Sequence, residues 1–169
     1  MARKDLYHNN VRLALEKDKW LITDDPLDLS SGDVELLADL GAERILGAER
    51  ADEKICVEIK CFVGQSPVTE FHKALGQYQN YELSLSDIEP DRLLFLAIPI
   101  DAWNDFFQRP FIQKAVHKHN IHLIIFDPLI LLRIRFCAND KSFIELNAQN
   151  LLQRSIINNF LLIKYLRRA

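Results

Sequence analysis

The sequence predicts a mixed α/β domain, a central β-sheet flanked by helices, on three observations. Residues 55–62 alternate as a strand does, with Ile55, Val57 and Ile59 on one side and Cys56, Glu58 and Lys60 on the other. Residues 93–98 and 121–126 are continuous apolar runs, the pattern of buried strands. Segments with helical spacing separate these strands, as in a sheet that carries helices on its faces.

The elements follow in order. Residues 4–18 read as a helix with Tyr7, Val11, Ala14 and Leu15 on one face. The short apolar run 20–22 ends in Thr23, Asp24, Asp25 and Pro26, a turn signal. Residues 36–40 are a second apolar run, interrupted by Asp39. Residues 43–50 read as a short helix or loop, and Gly47 with the polar cluster from Glu49 to Glu53 favours a connection between strands. After the strand at 55–62, Ser66 suits a helix N-cap and Pro67 its first position. Val68, Phe71, Leu75 and Tyr78 carry that helix to about Leu83. Residues 102–119 form a helix that Pro110 starts or interrupts. Residues 130–136 alternate Leu132, Ile134 and Phe136 against Arg133 and Arg135, a strand with one wet face. Residues 145–168 read as helical. The early strands, joined by short links, are expected antiparallel, and the later crossovers parallel. One domain spans 1–136, and 137–169 form a C-terminal extension, read as helical.

Composition narrows the function classes. The chain has 169 residues, 49% apolar and 27% charged, with a formal net charge of -3. No basic excess advertises nucleic-acid binding, so any DNA contact rests on a local patch. The first residues turn polar at once, and the longest apolar runs are too short for a bilayer, so no membrane role is expected. Cys56, Cys61 and Cys137 fit neither a disulfide framework nor a zinc motif, which suits a reducing cytoplasm.

Three charges interrupt apolar strands: Asp39, Glu58 and Lys60. Such charges are costly unless paired or bound to a metal. Glu58 and Lys60 point the same way, about 7 Å apart along the strand. If 36–40 pairs with 55–60, Asp39 joins them on one side of the sheet. Two carboxylates and the Ile59 carbonyl offer the oxygen ligands that Mg²⁺ (or Mn²⁺) takes, and Lys60 would offset charge on a phosphate. An ion pair on a solvated sheet face accounts for the spacing equally well. His117, His119 and His122 resemble a metal cluster only superficially. Glu43 and Glu49 read as solvated, with Glu43 a minor ligand candidate.

The surrounding sequence favours the metal site. Lys4-Asp5-Leu6-Tyr7-His8, Ala14-Leu15-Glu16-Lys17-Asp18-Lys19-Trp20, Asp25-Pro26-Leu27, Ala38-Asp39-Leu40-Gly41-Ala42-Glu43, Val57-Glu58-Ile59-Lys60-Cys61-Phe62, Lys73-Ala74-Leu75-Gly76-Gln77-Tyr78 and Glu89-Pro90-Asp91-Arg92 follow one another in this order. Over roughly residues 3–128 the chain closely resembles the XisH family, the fdxN element excision controlling factors of cyanobacteria. That resemblance implies a restriction-endonuclease-like fold of the PD-(D/E)XK superfamily, with Asp39, Glu58 and Lys60 as metal-site residues. It also implies Gln77 on the following helix facing the site and Glu16 on the first helix as an acidic candidate; His8 and Lys73 are accessory candidates. Ala38 stands where the superfamily name has Pro, and the chain departs from the family after about residue 128.

The resemblance implies a control factor in programmed excision of a DNA element, acting on DNA beside a site-specific recombinase and a small XisI-like companion. Metal-dependent hydrolysis of DNA phosphodiesters is the leading chemistry. The alternatives are a non-catalytic regulatory module on a nuclease fold and a toxin-like nuclease restrained by its companion. Separately, 151–166 carry more apolar residues than one amphipathic stripe needs, which points to a homodimer or a docked companion. The basic residues Arg133, Arg135, Arg154, Lys164, Arg167 and Arg168 read as a solvated strand face and helix end.

Overall fold

Helical spacing of Val11, Ala14 and Leu15 closes the chain into α1 (His8–Lys17), which buries all three. The structure, a computed structural model, describes residues 6–46, 51–129, 134–137 and 143–145. After β1 (Leu21–Asp24), two short strands, β2 (Leu27–Asp28) and β3 (Leu37–Ala38), pair antiparallel as a sheet of their own. β4 (Leu40–Leu46) and β5 (Ala51–Ile59) form a long antiparallel pair, from Leu40 opposite Val57 to Leu46 opposite Ala51.

The chain then crosses the sheet twice. α2 (Pro67–Ile88) leads to β6 (Leu93–Pro99), parallel to β5. Its start is set by Ser66, whose hydroxyl accepts the Thr69 N–H, and by Pro67 in the first turn. α3 (Ile100–Ala102), a π-helical turn (Trp103–Phe107) and α4 (Pro110–Lys118) lead to β7 (Leu123–Phe126), parallel to β6. β8 (Ile134–Cys137) and β9 (Phe143–Glu145) add antiparallel strands. The main sheet has the order β1-β4-β5-β6-β7-β8-β9.

Two apolar layers cover this sheet. On one face Cys56, Leu94, Leu96, Ile98, Leu123 and Ile125 pack under α2, the π turn and α4. On the other, Ile55, Val57, Ile59, Phe95, Ala97 and Ile124 pack under α1 and Trp20. This is the mixed, helix-flanked sheet of a restriction-endonuclease-like α/β fold, and the expected antiparallel and parallel strands fall where the link lengths place them.

Several local expectations need correction. Residues 43–46 are strand, not helix or loop. Glu43 is tolerated there because it is bonded to Arg92 at 3.1 Å and paired with Lys54 at 3.4 Å. The run 36–40 is not one strand: it bends at Asp39 and passes from the small sheet into the large one. Thr23 and Asp24 close β1 rather than open a turn, and α2 runs five residues beyond Leu83, to Ile88. The segment 102–119 breaks at Gln108 and Arg109, ahead of Pro110. Glu145, read as the start of a helix, ends β9, so the sheet continues past residue 136. The expected helix after it, and the dimer surface read from it, lie outside the described residues, as do Glu49, Arg133, Arg154, Lys164, Arg167 and Arg168.

One polar tie crosses the core. The buried Tyr78 hydroxyl donates to the Leu94 carbonyl at 3.0 Å and accepts the His122 N–H at 3.1 Å. Tyr78→Phe leaves that N–H without its acceptor, a loss of about 1–3 kcal/mol. Urea unfolding followed by circular dichroism should show a lower midpoint at unchanged slope.

Candidate functional site

The site forms where β4 begins too late to cover the end of β5. Their register stops at Leu40 opposite Val57. One residue earlier the backbone bends, and Asp39 Oδ2 accepts the Ile59 N–H at 2.8 Å. The Asp39 N–H in turn donates to the Glu58 carboxylate. Asp39 thus completes the edge of β5 with its side chain and caps Glu58 with its backbone. The Ile59 carbonyl leaves the strand on the same edge as its N–H.

Glu58 is buried at 3% exposure, on the face of Cys56 beneath α2. Its pKa is pushed up to about 7, first by burial and then by the negative charge of Asp39, with Lys60 opposing both. Lys60 Nζ lies 2.8 Å from Glu58 Oε1. The Lys60 backbone is held by its N–H to the Ala97 carbonyl at 2.9 Å. Two residues on, Phe62 adopts a left-handed backbone (φ 54°), uncommon for an aromatic residue. Its ring is clamped edge-on by Phe107 at 5.1 Å and packs against Phe106 at 6.1 Å. The π turn therefore anchors the chain just after Lys60.

α2 supplies a second wall. Gln77, half-buried, hydrogen-bonds the Tyr81 hydroxyl, which donates to the Leu37 carbonyl at 2.8 Å, just ahead of the Asp39 bend. Burial keeps the Tyr81 phenol protonated, and the charges of Glu58 and Asp39 add to that. On the other side, His8 of α1 is buried between two carboxylates, with Nε2 2.9 Å from Asp25 Oδ1 and Nδ1 3.6 Å from Asp39 Oδ1. Asp25 Oδ2 takes the Arg12 guanidinium at 2.8 Å.

Asp39, Glu58, Ile59 and Lys60 therefore stand together, with Gln77 and His8 nearby. Glu16 and Lys73 stand apart: Glu16 is exposed and bonded to Arg12 at 3.1 Å, and Lys73 is exposed and bonded to Glu70 at 3.2 Å. The histidines form no cluster. His119 is bonded to Gln79, and His122 is buried beside Phe95. Sequence reading missed Asp25 and Tyr81. Tyr81 follows Gln77 by one helical turn, a usable signal; Asp25 was hidden in what looked like a turn.

The donor chemistry suits a hard divalent cation: two carboxylates and a carbonyl, all oxygen, with one carboxyl held partly neutral by burial and by the charge of Asp39. Among the described residues no three His, Cys, Asp or Glu side chains already surround a common point. Around a cation these side chains would supply only part of a coordination shell, as in sites that leave ligand positions to water.

Comparison with known proteins now decides the family. The model of the family described as XisH protein matches residues 1–130, which include every residue of the cluster. The chain belongs to the XisH family. A crystal structure of an XisH family protein from Nostoc punctiforme is 40% identical, with a TM-score of 0.70 over 77% of this chain and 96% of that one. That of an fdxN element excision controlling factor protein from Anabaena variabilis is 38% identical, with a TM-score of 0.69 over 85% of this chain and all of the other. The comparison with curated proteins gives no match. No helix among the described residues is long and apolar enough to cross a membrane.

The raised Glu58 pKa has a sign that can be tested. A carboxyl that titrates near 7 folded and near 4.5 unfolded contributes stability below about pH 4.5 and loses it as pH rises through 7. In chelator, Glu58→Gln should therefore gain on the wild type from pH 5 to pH 8. The gain expected is of the order of 2–3 kcal/mol, read as diverging melting temperatures.

Proposed function

We propose that this XisH-family chain is a control factor for excision of a DNA element, and that it acts through a divalent-cation site on DNA phosphodiesters. The observation that carries this is the juxtaposition of Asp39, Glu58 and Lys60 at the uncovered end of β5, with the buried Glu58 carboxylate bonded to the half-buried Lys60 amine and close to Asp39. Buried like charges persist where a function uses them.

In this reading Asp39, Glu58 and the Ile59 carbonyl would hold Mg²⁺ or Mn²⁺. Such an ion, when bound, lowers the pKa of a coordinated water and polarises a phosphate oxygen. The remaining work falls to the chain. Lys60, released from Glu58, donates to the oxygen on which charge develops. Its backbone is pinned on both sides, so its amine enters a fixed position at little reorganisation. Gln77, held by Tyr81, presents an amide at the same mouth. A net charge of -3 repels a polyanion, so DNA engagement would lean on a partner, for which an XisI-like companion or the recombinase is the natural candidate.

A second reading, a regulatory module that binds DNA or protein without cleaving, draws support from the 2.8 Å Lys60–Glu58 bond, which occupies both groups with each other. One residue separates the two. With Mg²⁺ or Mn²⁺ and the companion present, Lys60→Ala should lower cleavage of a DNA duplex by about 10²–10³-fold at unchanged binding. Full excision in cells carrying normal amounts of that variant would instead assign the regulatory role.

A further inference from the structure

His8 is a buried polar side chain with no role in the cation site proposed so far. It lies on the first turn of α1 with its side chain 4% exposed. Nε2 is 2.9 Å from Asp25 Oδ1, and Asp25 is held on its other oxygen by Arg12 at 2.8 Å. An ionised carboxylate only accepts, so Asp25 holds Nε2 as a donor and the ring turns Nδ1 towards Asp39. Nδ1 is buried and makes no hydrogen bond. A carboxylate oxygen, Asp39 Oδ1, faces it at 3.6 Å. A buried ring nitrogen that faces a carboxylate oxygen with no hydrogen bond is unfavourable unless something positive lies between them.

The spacing suggests what that is. Two donors, each about 2.0–2.2 Å from one transition-metal ion and at neighbouring positions around it, lie roughly 3.0–3.5 Å apart. The back side matches as well: a histidine that ligates a metal characteristically donates its other ring N–H to a carboxylate. Asp25, locked by Arg12, is in that position. We propose that His8 Nδ1 is a nitrogen ligand, together with Asp39, of the divalent cation at this site. Arg12 and Asp25 are positioning residues behind it.

The inference rests on the cation-site reading and makes it more specific. Carboxylates and carbonyls alone suit Mg²⁺, whereas an imidazole moves preference towards Mn²⁺ and the later transition ions. The site should therefore take Mn²⁺ more tightly than Mg²⁺.

The test uses Mn²⁺ itself and needs no activity. Pulsed electron paramagnetic resonance of the wild-type chain loaded with Mn²⁺ should show modulation from a directly bound nitrogen. His8→Gln should abolish that modulation and weaken Mn²⁺ binding in calorimetry by about tenfold or more, with Mg²⁺ binding much less affected. Asp39→Asn should remove Mn²⁺ binding altogether. Mn²⁺ bound by the wild type without nitrogen modulation, or with modulation that survives in His8→Gln, overturns the His8 assignment and leaves the carboxylate site standing. Mn²⁺ binding unchanged in Asp39→Asn, or absent from the wild type, overturns both. The wild-type spectrum decides even where His8→Gln does not fold.

Discussion

Asp39 accepts the Ile59 N–H with its side chain because no strand is there to accept it with a backbone. β3 ends at Ala38 in the small sheet, and β4 starts at Leu40 in the large one. Asp39 is the single residue between them, and its bend lets one chain serve two sheets. An unpaired N–H at that depth would cost about 1–3 kcal/mol, so the carboxylate is held in place by the fold itself. Everything in the site follows from that position. The bend aims one Asp39 oxygen at β5 and the other at His8, and it brings the Asp39 N–H onto Glu58.

The cost of this arrangement falls on Glu58. Its neighbours on the same strand face, Cys56 and the residues of β6, are apolar and buried. A carboxyl there meets low dielectric and a second carboxylate, and one lysine offsets the two incompletely, which is why its pKa stays near 7. A leucine at the same point would pack with the layer around it and carry no such penalty. The chain carries a destabilising charge there, and a bound cation would relieve it. Lys60 and the Phe62 clamp extend the same logic: a left-handed aromatic residue is strained, and the aromatic packing of the π turn compensates it.

Much of this was legible in the residues. Alternation across 55–62 placed Glu58 and Lys60 on one side, and the charge interrupting 36–40 marked Asp39, because a lone charge in an apolar run is a local signal. Ser66 and Pro67 fixed the start of α2 for the same reason. What escaped depends on contacts distant in sequence. β2 and β3 are two residues each, too short for any period to show. Residues 43–46 looked like loop because the partner that satisfies Glu43, Arg92, lies far along the chain. Asp25 reads as a turn residue until α1 folds back and sets His8 and Arg12 against it. Gln77 was placed on the correct helix, but its partner Tyr81 emerges only once α2 is seen to pass over the Asp39 bend.

The central claim is that the bend at Asp39 and the buried Glu58 exist to hold one divalent cation against β5. A crystal of the full chain grown with Mn²⁺, with diffraction recorded at the manganese absorption edge, tests it most directly. The account predicts one strong anomalous peak within about 2.5 Å of carboxylate oxygens from both Asp39 and Glu58. Saturating Mn²⁺ with no peak there, and with Lys60 still bonded to Glu58, would contradict it.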